Sequence, residues 1–120
     1  MPTAHTFSAE SEDSTLIVTP LRSVAGLVEE DVRGELAPIL ERLGTAELKH
    51  AVIDFHELTY FGTSMLEAMF AIWRRIRDDE GKMILCNVST MGREILRVSR
   101  FDTLWPICDT REDALREIGG

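Results

Sequence analysis

Lysine is almost missing from this chain. Of its 13 cationic residues only Lys49 and Lys82 are lysine, the rest being arginine. Against 21 carboxylates the balance is 13 − 21 = −8 at neutral pH. So acidic a chain lacks the basic footprint that nucleic acid or an anionic membrane surface requires. No apolar run approaches the roughly 18 residues of a membrane span, and no basic-plus-apolar leader opens the chain. Membrane insertion is therefore not expected, and the expected location is the cytoplasm. Cysteine is scarce as well. Cys86 and Cys108 lie in or beside apolar runs and match no metal or redox spacing. Two buried thiols in a reducing compartment is the primary expectation, with a disulfide as the lesser alternative. There is no glycine-rich loop to cradle nucleotide phosphates and no Gly-x-Ser-x-Gly elbow to raise a nucleophile.

What is present is 120 residues, 44% hydrophobic and 28% charged, which is enough for one core. TLIVT (15–19) is rich in β-branched residues and reads as a strand, and residues 5–10 before it read as a short edge strand joined to it by a turn through 11–14. HAVIDF (50–55) and KMILCNV (82–88) are nearly continuous apolar runs, the pattern of strands buried on both faces. Ahead of HAVIDF, Val28, Val32, Leu36, Ile39, Leu40 and Leu43 recur at helical spacing, with Gly44 as the C-cap candidate and Pro38 as a kink or restart. Met65, Leu66, Met69, Phe70, Trp73 and Ile76 make a second stripe, ended by Gly81. Met91, Ile95, Leu96 and Val98 make a third, expected to face inward. LWPIC is a short final strand that Pro106 confines to an edge. The last helix has an N-cap candidate at Asp109 or Thr110 and turns Ala114, Leu115 and Ile118 inward. Strands alternating with helices imply an α/β fold with a mixed, mostly parallel sheet of four to five strands and about four helices. All 120 residues form one domain on this reading, with residues 1–4 frayed.

The stretch ELTYFGTSMLEAMF (57–70) holds the most informative local pattern. Two hydroxyls, Thr63 and Ser64, stand at the mouth of a helix. Capping explains them at once: Ser64 can accept from the free N–H groups of the first turn, and Glu67 three residues on completes a capping box. The same geometry also suits a phosphate, because free donors and the positive end of the helix dipole meet it there. A phosphate at such a place leaves the domain folded and alters whatever surface covers it.

VIDFHELTYF followed by Gly62-Thr63-Ser64-Met65-Leu66, and then LCNVSTMGREILRVSRFDTLWPICDTREDAL, resemble a STAS domain. That module is shared by sulphate transporters and bacterial anti-sigma factor antagonists. The resemblance implies a single STAS-like domain and a regulatory protein-binding function without enzymatic activity, cofactor, metal or small-molecule substrate. It implies phosphorylation at Thr63, with Ser64 as the alternative, and a partner surface of Gly62, Thr63, Ser64, Met65 and Leu66. The implied partner is an anti-sigma factor, often a serine/threonine kinase. Gly62 stands where the family usually has Asp, and Met65 where it usually has Gly, placing a bulky adaptable side chain at the turn. The alternative is a STAS scaffold that is not phosphorylated, such as a stressosome-type component or a subunit of a lipid-transport ATPase.

Rival chemistries are thinner. Asp54 and His56 near Thr63 or Ser64 sketch a hydrolase, but the sequence does not bring them into contact. Asp54, His56 and Glu57 sketch a metal site to which His5 and His50 have no evident route. Asp54 also resembles a receiver's acceptor, yet TPLRS (19–23) lacks the acidic pair a receiver needs after its first strand. Arg74, Arg75 and Arg77 read as a solvated face paired with Asp78, Asp79 and Glu80. Arg93, Arg97 and Arg100 read as a solvated stripe on one side of the third helix, with partner docking as the alternative.

Overall fold

Short apolar runs become central strands here because both of their faces are covered. In the computed structural model, which describes residues 7–21, 29–45 and 47–119, β2 (Thr15–Pro20), β3 (His50–Asp54) and β4 (Met83–Cys86) are buried almost throughout. β1 (Phe7–Glu12) pairs antiparallel with β2, and the two-residue turn between them places Asp13 at φ 53, a conformation that Asp tolerates. β2, β3, β4 and the short β5 (Ile107–Cys108) run parallel, and the five strands lie in chain order across the sheet. The expected fraying of residues 1–4 and the inward placement of Val28 and Val32 lie outside the described residues and side chains.

Right-handed crossovers that all step the same way put their helices on one face of the sheet. That face holds the main core. α1 (Glu29–Arg42) contributes Leu36 and Ile39, α2 (Thr63–Arg77) contributes Met65, Met69, Ile72 and Ile76, and α3 (Thr90–Val98) contributes Leu96. They meet Leu16, Val18, Ala51, Ile53, Met83 and Leu85. The alternate strand residues Ile17, Val52, Ile84 and Cys86 face the other way, where α4 (Arg111–Gly119) packs Ala114, Leu115 and Ile118 against them. Period-two alternation thus divides each strand between two cores.

Several local expectations are corrected. α1 continues through Pro38 unbroken, with that residue exposed. Phe70 and Trp73 lie on the flank of α2 rather than in its core, and Ile72 takes the deep position. In α3 the inward face is Gly92 and Leu96, while Met91 is 53% exposed and Val98 68% exposed. The cause is steric: a Cβ on Gly92 would meet Val88 Cγ1 at 2.8 Å and Phe61 Cε1 at 3.0 Å, so the helix rests on its glycine. The final strand shrinks to two residues because Pro106 and a 3-10 turn at Phe101–Thr103 occupy the approach to it. Arg77 pairs with Asp78 at 3.6 Å, as expected, and also lies 4.9 Å over the Trp73 ring, whereas Arg75 turns instead to Leu40 O, to which it donates at 3.1 Å.

Candidate functional site

The approach to α2 is fixed from below. Phe55 and Phe61 stack at 4.7 Å and are buried, which anchors both ends of the loop between β3 and α2. Gly62 is the N-cap, in extended conformation, and no side chain caps the helix. Its carbonyl instead accepts from Met65 N at 3.1 Å and Leu66 N at 3.2 Å. The Ser64–Glu67 capping box therefore does not form. Thr63 and Ser64 are both exposed, and among the described residues no hydrogen bond engages either hydroxyl. The first turn of α2 carries no acidic residue, so its positive end is uncompensated.

Met65 is turned away from the surface expected of it, whereas Leu66, though mostly buried, still lines the groove beside the hydroxyls. Met65 is 0% exposed and Leu66 8%, because the register of α2 turns them onto the sheet. Met65 supports the turn from beneath and offers no face to a partner. Beside the hydroxyls lies an open groove of about 430 Å³, lined by Thr63, Leu66, Glu67, Phe70, Ser99 and Phe101. Its floor belongs to an aromatic series in which Phe70 stands 5.4 Å from Trp73 and 6.1 Å from Phe101, which stacks on Trp105 at 4.8 Å. Exposed Val98 adjoins groove-lining Ser99 in the chain, and Met91, Ile95 and Val98 recur at spacings of four and three along α3. The sequence gives no sign that Phe70, Ser99 and Phe101 meet at one groove: Phe70 reads simply as core, and Ser99 and Phe101 follow the end of a different helix.

Asp54 ends β3 with its side chain 2% exposed. Its Oδ1 accepts from His56 N and from Asn87 Nδ2, each at 3.0 Å, and lies 3.0 Å from His56 Nδ1. Its Oδ2 accepts from Arg111 Nε at 2.9 Å, and Arg111 Nη1 reaches Glu10 Oε1 at 2.6 Å. Burial pushes the Asp54 pKa up, but the hydrogen bonds from Asn87, Arg111 and His56 together hold it below its ordinary value. This carboxylate is a structural hub joining β1, β3, the turn after β4 and α4. The imagined hydrolase does not assemble: the His56 nitrogens face Asp54 and, at 3.3 Å, Glu57, and neither Thr63 nor Ser64 bonds to them. No group of three metal-ligating side chains occurs among the described residues.

The remaining candidates are resolved individually. Arg93 pairs with Asp109 at 3.2 Å, Arg97 pairs with Glu94, and Arg100 lies past the end of α3 at φ 66, so the three do not form one continuous helical stripe. Cys86 and Cys108 are free thiols, the first buried and the second half-buried. No helix among the described residues is long and apolar enough to cross a membrane.

Comparison with known proteins accords with this geometry. BtrV of Bordetella bronchiseptica, provisionally named an anti-sigma factor antagonist, is 26% identical over 66 residues, which are 55% of this chain and 57% of BtrV. The chain thus matches little more than half the length of that curated relative. A STAS domain protein from Planctomyces limnophilus, its structure described as an anti-sigma-factor antagonist, superposes with a TM-score of 0.77 at 24% identity, over 95% of this chain and 98% of the other. The anti-sigma factor antagonist SpoIIAA superposes in its unphosphorylated form with a TM-score of 0.74 at 17% identity, over 95% and 96%. Its phosphorylated form gives 0.64 at 17%, over 93% and 98%. With the fold shared over nearly its whole length and the STAS domain matching residues 6–114, the chain belongs to the STAS domain family.

Proposed function

We propose that this STAS domain is a regulatory protein-binding module acting as an anti-sigma factor antagonist. In the unmodified state the mouth of α2 and the groove beside it dock on an anti-sigma factor that is also a serine/threonine kinase, and a sigma factor is released. A phosphate on Thr63, or on Ser64 in its place, opposes docking. The observation that carries this reading is the pair of exposed, uncapping hydroxyls, with Thr63 at the lip of an apolar groove. The helix N-terminus tolerates the phosphate, so the fold survives modification, while about −1.5 to −2 charges enter a surface that docking would desolvate. About 1.4 kcal/mol of differential affinity already shifts binding tenfold. Capture of SpoIIAA, a protein of the same fold, in both forms supports the idea that this architecture accommodates the modification.

The test is incubation with the cognate anti-sigma kinase and radiolabelled ATP, followed by binding to that kinase. Label is expected on the wild type and absent from Thr63→Ala, and Thr63→Glu is expected to bind the kinase at least tenfold more weakly. Equal labelling of wild type and the Thr63→Ala/Ser64→Ala double variant would remove the switch. An absence of label from the wild type would favour the unphosphorylated scaffold.

A further inference from the structure

Asp54, Cys86 and Cys108 stand in one register row across β3, β4 and β5. Directly opposed residues of parallel strands project from the same face, here the face covered by α4. Cys86 belongs to the apolar cluster with Ile17, Val52, Ile84 and Ala114, and Cys108 packs against that cluster. Both thiols are free. Neighbouring strands lie about 4.8 Å apart, within the roughly 4.4–6.8 Å that a disulfide spans between Cα atoms. β5 is a two-residue strand at the sheet edge, paired with β4 at Leu85–Ile107 and Cys86–Cys108.

We propose that Cys86 and Cys108 are joined as an intramolecular disulfide on exposure to hydrogen peroxide, making the β4–β5 edge a redox-sensitive clasp. Half-buried Cys108 is the thiol a peroxide reaches, and Cys86 resolves the product from within. The Cys108 sulfur displaces hydroxide from the O–O bond; the thiol proton joins that hydroxide as water, leaving a sulfenic acid. The Cys86 sulfur then displaces the sulfenic hydroxyl, and its own proton leaves with that oxygen as a second water. Two thiols lose two electrons and two protons, and one peroxide becomes two waters.

The clasp is slow in the resting protein and tied to the Asp54 hub. Burial pushes the Cys86 thiol up to about 12, Asp54 and Cys108 add to the rise, and Arg111 works against it. Burial also raises Cys108, helped by Glu117, Asp113 and Asp109. Thiolate is the reactive form, so closure accelerates as pH rises. Cys108 lies three residues before Arg111, whose guanidinium holds Asp54. The bond therefore pins the start of α4 against the strand that flanks Asp54.

The experiment exposes the reduced native protein to hydrogen peroxide, then unfolds it, alkylates with iodoacetamide and maps the peptides by mass spectrometry. The expected result is a monomer lighter by two hydrogens, both cysteines shielded from alkylation, and a Cys86–Cys108 linked peptide pair that dithiothreitol releases. The rate is expected to rise with pH, and neither Cys86→Ala nor Cys108→Ala should give an intramolecular link. Cys108→Ala, at the half-buried edge position, guards against a core variant that fails to fold. Disulfide found solely between two chains, or Cys108 oxidised to sulfinic acid while Cys86 remains alkylatable, overturns the proposal, as does complete alkylation of both after exposure.

Discussion

Asp54 Oδ2 accepts a hydrogen bond from Arg111 Nε at 2.9 Å, tying the end of the central strand to the first residue of the last helix, 57 positions later. Removing one partner of a buried ion pair costs about 3–5 kcal/mol, because the other charge is stranded. Arg111 is 28% exposed and retains some hydration. Arg111→Met is therefore expected to lower the unfolding free energy by about 2 kcal/mol. Urea denaturation checks this. Adding Asp54→Asn to that variant should cost less than its effect alone, since the stranded charge is then gone. Strict additivity of the two would mean that the pair is not coupled.

Acid should weaken the fold in two separable steps. Burial, Lys49 and Lys82 lower the His50 pKa from 6.5, and its Nδ1 accepts from Lys82 N at 2.9 Å, a bond only an unprotonated Nδ1 makes. The unfolded chain thus takes up that proton first. The contribution of neutral His50 is fully present above 6.5 and is lost as pH falls through the lower folded value. Asp54 has the same sign lower down, because its folded pKa lies below 3.8; its contribution is present above 3.8 and lost as pH falls through the folded value. In a series of urea midpoints against pH, His50→Gln should flatten the first decline and Asp54→Asn the second.

The architecture was legible because the strands and helices announce themselves locally. HAVID and MILC are apolar on both faces, and the α2 stripe has helical period, so their order alone implied the parallel sheet. The hub was not legible, since nothing near Asp54 in sequence points to Arg111 or Glu10. Hydrophobicity also misplaced α3: Met91 and Val98 scored as core, while the residue that sets the helix's approach is Gly92, which has no side chain to score. At the α2 mouth the exposed hydroxyls were foreseen, but their capping role was not what the backbone chose. The Gly62 carbonyl accepts from Met65 and Leu66, and Thr63 already lies inside the helix.

Two glycines should respond to alanine with opposite signs. A Cβ on Gly81 would stand 2.1 Å from Lys49 O and 2.9 Å from Ile76 Cβ, so the turn after α2 or the start of β3 must move. Gly81→Ala is expected to destabilise by about 2 kcal/mol. Gly34 lies exposed within α1 with nothing within 4 Å of its added Cβ. Gly34→Ala should stabilise by about 0.5–1 kcal/mol, because alanine loses less backbone entropy in a helix. Thermal midpoints of the two variants, moving apart around the wild type, would establish both.

Ser89 and Ser64 both stand near helix starts, yet only one is bound into the fold. Ser89 Oγ accepts from Gly92 N at 2.9 Å and donates to Thr59 O at 2.7 Å, capping α3 and tying it to the loop before α2. Ser89→Ala should therefore cost about 1–2 kcal/mol. Ser64 caps nothing, and alanine is the better helix former at its position, so Ser64→Ala should leave stability within about 0.5 kcal/mol of wild type. The same holds for Thr63→Ala. A hydroxyl that stability does not need, on a helix end open to solvent, is free for surface chemistry. Equal losses on unfolding of Ser64→Ala and Ser89→Ala would show instead that the α2 hydroxyls are structural, and the physical case for modification there would go with them.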